Sequence, residues 1–137
     1  MIKQQISAAL TAMLISLVVQ TAFGAGGDNS YSSESQKPAG FNEAVALIAA
    51  EKYQEAIIPL QSAENAAQND ADIKNLLGFV HRKTGKLDAA GSYYRRALEI
   101  NPKHKGALEY EGELFLIRGD KDAAHANLAK LDKICWL

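Results

Sequence analysis

Residues 71–104 read ADIKNLLGFVHRKTGKLDAAGSYYRRALEINPKH. Two runs within them carry apolar side chains at helical spacing, about 71–83 and 87–100. Leu76, Leu77, Val80 and His81 recur on one face of the first run, and Ala90, Tyr94, Ala97 and Leu98 on one face of the second. Gly85 falls just past the first run, where a left-handed residue is wanted and glycine takes it at no steric cost. Pro102 cannot continue the second helix, and it drives Asn101 out of helical geometry. Gly78, Ala90 and Ala97 are small enough to let two antiparallel helices approach closely, while Leu77 and Tyr94 fill the space on either side.

Sliding the chain by 34 residues lines up three copies of this pattern without a gap, about 37–70, 71–104 and 105–137. Ala44, Gly78 and Gly112 form a small-residue column. Leu47, His81 and Phe115 form a bulky column three positions later. Ala56, Ala90 and Ala124 make an invariant alanine column, Leu60, Tyr94 and Leu128 a second bulky one, and Ala63, Ala97 and Leu131 follow it. Gly85 and Gly119 align at the turn, where the first copy has Glu51. Asp120 is placed to cap the last helix, and Pro59, inside a helical run, predicts a local kink.

At this point the chain resembles the tetratricopeptide-repeat family. The middle copy carries the resemblance through Leu77-Gly78, His81, Ala90, Tyr94, Ala97 and Pro102. The third copy matches at Gly112, Phe115, Gly119, Ala124 and Leu128. The first keeps Ala44, Leu47, Tyr53, Ala56, Leu60 and Ala63. The resemblance implies an all-α fold, a right-handed α-solenoid of three stacked helix-turn-helix repeats over 40–137. It also implies that the first helix of each pair lines a concave face. Counted along those helices, the inward-facing candidates are Phe41, Val45 and Ile48, then Asn75, Phe79, Arg82 and Lys83, then Glu109, Glu113 and Leu116. Such a groove runs from apolar through basic to acidic and suits a peptide or a partner helix. Packing between copies competes for Val45, Ile48 and Leu116. Some members of the family grip a terminal carboxylate with paired Lys and Asn. The corresponding places here hold Phe41 and Val45, Asn75 and Phe79, and Glu109 and Glu113, so that clamp is not expected.

The regions outside the repeats read differently. Ile6 to Val19 is an apolar stretch with Lys3 before it, and Ala22 and Gly24 offer small residues at a cleavage site. As a helix the stretch covers about 21 Å, short of a hydrocarbon core of about 30 Å. A signal peptide over 1–24 is expected, with export to a bacterial periplasm or beyond and no integral membrane span after cleavage. Residues 25–39, rich in Gly and Ser, read as a flexible leader. The far end, LDKICWL, is apolar for a free end and similar to small exported bacterial repeat proteins in which a second cysteine and a further helix follow. A fragment of a longer chain is the expectation. Self-association through this end, or folding back of Trp136 and Leu137, are the alternatives.

Charge and chemistry narrow the function. Fifteen Lys+Arg against sixteen Asp+Glu among 137 residues leave a net charge of −1, which argues against nucleic-acid binding. A single cysteine excludes an internal disulfide. His81 falls in the aromatic core column, and His104 and His125 read as solvated. None has a metal-ligand spacing. Glu109, Glu111 and Glu113 point to different sides of a helix. The expectation is no enzyme, no cofactor and no metal, but an exported scaffold that binds another protein or peptide. The alternative is a redox accessory using Cys135 with a cysteine outside the chain. Cys135 is there either a reactive thiol or a buried, inert one.

Overall fold

Among the described residues six helices follow one another in pairs, and side-chain caps mark the start of three of them. The computed structural model describes residues 37–136. The expected signal peptide and residues 25–36 of the leader lie outside the described residues, as does Leu137. The helices are α1 (Phe41–Ala49), α2 (Tyr53–Ala66), α3 (Ala71–Lys83), α4 (Leu87–Ile100), α5 (Lys105–Ile117) and α6 (Lys121–Cys135). The runs read at 71–83 and 87–100 are α3 and α4, and no strand forms among the described residues.

Asp70 caps α3 by accepting from the backbone N–H of Asp72 (2.9 Å) and Ile73 (3.2 Å). Thirty-four residues on, His104 fills the same role for α5, its Nδ1 accepting from Ala107 N–H at 3.0 Å. Asp120 caps α6 through Ala123 N–H at 3.0 Å, as its position suggested. Asn101, ahead of Pro102, is extended at φ −134° and ψ 95°. Pro59 is buried within α2, which continues through it. Its carbonyl oxygen lies where a Cβ on Gly40 would come within 2.5 Å, so the left-handed Gly40 at the start of α1 also serves a close approach.

Within each pair the turn is the same. Lys52 N–H donates to Leu47 C=O (2.9 Å), Lys86 N–H to His81 C=O (2.8 Å) and Asp120 N–H to Phe115 C=O (2.8 Å). The acceptors are the first bulky column of the repeat, Leu47, His81 and Phe115. This six-to-one closure needs a left-handed residue one position before the donor. Gly85 (φ 78°) and Gly119 (φ 79°) supply it, and Glu51 takes the same conformation at φ 59° despite its side chain.

Each helix packs on its neighbours in sequence, and α3 also meets α5, so the pairs stack into an α-solenoid. One core cluster joins α1 to α3 through Ala44, Ala56, Ile57, Leu60, Ala63, Ile73, Leu77 and Val80. A second joins α3's partner helix to the third pair through Ala90, Tyr94 and Leu114. Gly78 is what brings α3 and α4 together, since a Cβ there would lie 2.5 Å from Tyr94 Cε1. The core thins toward the end of the chain. Only Asn127 of α6 is fully buried, and Leu128, in Tyr94's column, is 52% exposed. Trp136 is 89% exposed, so it does not fold back, and Cys135 is exposed rather than buried.

A left-handed non-glycine residue costs about 1–2 kcal/mol. Glu51→Gly therefore raises stability by about 1 kcal/mol, a Tm increase of about 4–8 °C for a domain of this size. Thermal unfolding followed by circular dichroism measures it, and an unchanged or lower Tm contradicts the shared-turn reading.

Candidate functional site

Phe79, Arg82 and Lys83 lie on α3, with Tyr110 and Glu113 facing them from α5 and Tyr53 from the start of α2. Phe79 is the centre of this group. Tyr53 meets its ring edge-on at 5.7 Å between centroids, and Tyr110 lies at 5.1 Å, tilted by 45°. Tyr110 in turn is 6.3 Å from Tyr94. Four aromatic rings from four successive helices are thus linked in one row, in geometries that aromatic quadrupoles favour.

Two cations sit on the row, and they differ in availability. The Arg82 guanidinium lies 5.6 Å from both the Phe79 and Tyr110 centroids. Its Nη2 pairs with Glu113 Oε2 at 2.6 Å, and its Nε donates to the Tyr94 hydroxyl at 3.2 Å. Its side chain is 10% exposed. The Lys83 ammonium lies 5.7 Å from the Tyr53 centroid and 5.5 Å from that of Phe79. Lys83 is exposed, and no carboxylate pairs with it among the described residues. Arg82 is therefore a packing and bridging group, and Lys83 is the cation free to meet a ligand. Burial pushes the Tyr94 hydroxyl up to about 12, against the opposing hydrogen bond from Arg82, so it stays a neutral phenol.

The other expected groove residues fall in three places. Phe41 is half-buried against the first core cluster, with the Lys37 ammonium 5.1 Å from its ring centroid. Ile48 packs on the same cluster, whereas Val45 stays exposed. Asn75 corrects the sequence reading. It is 7% exposed, and Gly106 of α5 comes so near that a Cβ there would lie 3.1 Å from Asn75 Nδ2. The closure of α5 on α3 takes this side chain out of reach of a partner. Glu109 and Leu116 are exposed and, with Glu113, border an apolar cavity between α5 and α6 rather than the aromatic row. The expected basic-to-acidic gradient is also altered, because Glu113 neutralises Arg82.

Sequence reasoning missed Tyr53 and Tyr110. Tyr110 is the neighbour of Glu109 and lies one turn before Glu113, so a one-position error in the helix face hid it. His104 is a second correction. Its side chain is 11% exposed, and Nε2 lies 2.9 Å from Asp72 Oδ1. Lys37, placed in the leader by sequence, is tied to the domain instead, its ammonium 2.7 Å from both Asp70 and Asp72. The hydrogen bond from Lys37 holds the Asp72 carboxyl below its usual range against partial burial, and His104 adds to this. His81 is the packed core side chain that its column indicated, stacked on Tyr93 at 5.4 Å. Burial lowers its pKa, which keeps the ring neutral. Among the described residues no cluster of His, Cys, Asp or Glu is placed to hold a metal ion, and no helix is long and apolar enough to cross a membrane.

With that geometry in view, a family profile described as tetratricopeptide repeat matches residues 71–104, which are α3, α4 and their closing turn. Residues 71–104 are a tetratricopeptide repeat. No curated protein matches the chain. Solved structures with the same helical-repeat fold do. MamA from Desulfovibrio magneticus RS-1 superposes with a TM-score of 0.66 at 19% identity over 69% of this chain. The chain spans about half of that protein, 54% of its length. The type III secretion chaperone SycD of Yersinia enterocolitica, in complex with a peptide of the translocator YopD, gives a TM-score of 0.65 at 19% identity, covering 69% of this chain and 72% of that one. The second tetratricopeptide domain of Spaghetti (RPAP3), bound to the HSP90 peptide SRMEEVD, gives 0.66 at 15% identity, covering 69% and 88%.

The two cations on the aromatic row separate in a stability test. Arg82→Ala removes a charged hydrogen bond and two ring contacts, and it costs about 1.5–3 kcal/mol. Lys83→Ala costs less than about 0.5 kcal/mol, as an exposed substitution does. Urea unfolding of both variants checks this, and equal effects contradict the division of roles.

Proposed function

We propose that this chain is an exported, non-catalytic scaffold that binds a peptide or partner-protein segment across the face formed by α3 and α5. The observation that carries this reading is the aromatic row Tyr53–Phe79–Tyr110 with the exposed Lys83 ammonium beside it. Half-buried aromatic rings offer large contact area at low entropic cost, and they dominate binding energy where they can be desolvated. Lys83 adds a point of selection for an acidic side chain next to an apolar one on the partner.

The peptide complexes of SycD and of the RPAP3 domain support the same use of this fold here. Export rests on the sequence of residues 1–24, whose short apolar run and small-residue site suit signal cleavage. The redox alternative rests on the exposed Cys135 thiol alone.

Capture of envelope-fraction proteins on the immobilised repeat domain tests the reading. Phe79→Ala weakens the retained partner's binding by about 10- to 100-fold, and Lys83→Glu by a smaller factor, at unchanged helicity. A partner retained equally by wild type and both variants contradicts the assignment of this face.

A further inference from the structure

The seam between the first two helix pairs differs in chemistry from the one that follows. In the first seam Glu64 of α2 meets Lys74 of α3, Oε1 to Nζ at 2.5 Å. The Lys74 side chain is 9% exposed and that of Glu64 17%. Thirty-four residues on, Leu98 and Leu108 hold these two places. Leu108 is buried and Leu98 half-buried, so the second seam closes without the charges. Stacking therefore does not require an ion pair here, and a nearly buried pair gains little over the apolar one that could replace it.

A polar cavity of about 470 Å³ opens beside the pair, at the C-terminal ends of α2 and α4. Lys74 and Glu64 line it together with Arg96 and Glu99 of α4 and the carboxamides of Asn65 and Gln68. Much of its bonding capacity is unspent. The Lys74 ammonium has three donors, and among the described residues Glu64 is its one acceptor. The other Glu64 oxygen accepts from the Tyr93 hydroxyl at 3.5 Å, so this carboxylate is held from two sides. Arg96 and Glu99 are exposed, and neither enters an ion pair among the described residues. Glu64 and Glu99 stand in the last turns of α2 and α4, which carry no basic residue. An acid there opposes the helix dipole, so both ends favour an incoming cation.

We propose that this cavity binds a free α-amino acid with a polar side chain. The ligand carboxylate takes the spare donors of Lys74 and the Arg96 guanidinium. The ammonium is drawn to Glu99 and to the negative ends of the two helices. Asn65 and Gln68 offer both donors and acceptors to a polar side chain. Arg96 and Glu99, three residues apart on α4, are neighbours on its surface and match a molecule whose two charges sit on one carbon. A simple anion meets the two glutamates, and a simple cation meets Lys74 and Arg96. Ile100 is the one apolar residue of the lining, so an apolar side chain gains little. None of these residues belongs to the aromatic row, and the site does not depend on the function proposed there.

The probe is L-glutamine, titrated into the isotope-labelled full chain and followed by backbone amide chemical shifts. Saturable shifts are expected at the ends of α2 and α4 and at Lys74, with millimolar affinity. Arg96→Ala weakens binding at least tenfold and Glu99→Gln about fivefold, both at unchanged helicity. Glu64→Leu combined with Lys74→Leu copies the second seam, so it keeps the fold and loses binding at least tenfold. The two exposed substitutions keep the test decisive if that double variant does not fold. Propionate and putrescine, which carry one kind of charge each, bind at least tenfold more weakly than glutamine. No saturation at tens of millimolar glutamine overturns the proposal, as does indifference to both Arg96→Ala and Glu99→Gln. Propionate, putrescine or glucose binding as tightly as glutamine makes the cavity a site for simple ions or polyols, and overturns it. Shifts centred on Phe79 and Tyr110 place the ligand on the aromatic row and overturn it equally.

Discussion

The contact on which the rest of the structure depends is the approach of α3 to α4 at Gly78. The Tyr94 ring occupies the space that any Cβ at position 78 needs, 2.5 Å from where that atom would be. Because the helix backbone itself forms the wall, Tyr94 is fully buried and its ring reaches through to Tyr110. Its hydroxyl then lies where Arg82 can donate to it, and Arg82 is in turn held over Phe79 and against Glu113. One missing methyl group therefore positions the aromatic row that forms the candidate binding face. The first and third pairs use the same column with Ala44 and Gly112, but the third has Leu128 opposite. Its seam stays open as the apolar cavity between α5 and α6.

Polar groups register the copies on one another without supplying much of the driving force. Lys74 and Glu64 join α3 to α2 at 2.5 Å, Arg82 and Glu113 join α3 to α5, and Arg118 and Asp88 join α5 to α4. Lys37, Asp70, Asp72 and His104 form one network that links the start of the first copy to the ends of the first and second. The exposed pairs are worth about 0–1 kcal/mol each. The Lys74–Glu64 pair, nearly buried, has to offset its own desolvation. Each cation finds its acid only when the pairs are in step.

Much of this was legible in the sequence, for a definite reason. Helix ends, the Gly85 and Gly119 turns and the Asp120 cap depend on local backbone chemistry, and local chemistry is written in adjacent residues. What depended on the approach of a second helix was not. Asn75 sat on the expected inward face, but the arrival of Gly106 buries it. Tyr110 was passed over because a helix face turns by about 100° per residue, so an error of one position replaces the lining residue. Glu51 shows the turn overruling residue preference, as the hydrogen bond to Leu47 C=O fixes the conformation whatever the side chain. His104 could have been found, because it stands thirty-four residues after Asp70 and inherits its capping role.

The most direct measurement compares alanine at two glycines of one column. A Cβ at Gly78 meets the Tyr94 ring, whereas a Cβ at Gly112 has no neighbour nearer than Asn127 Cβ at 3.9 Å. Equilibrium unfolding of Gly78→Ala should show a loss of about 1–3 kcal/mol from overpacking, and Gly112→Ala a gain of about 0.5–1 kcal/mol from helix propensity. A Gly78→Ala domain as stable as wild type, or more so, would contradict the account.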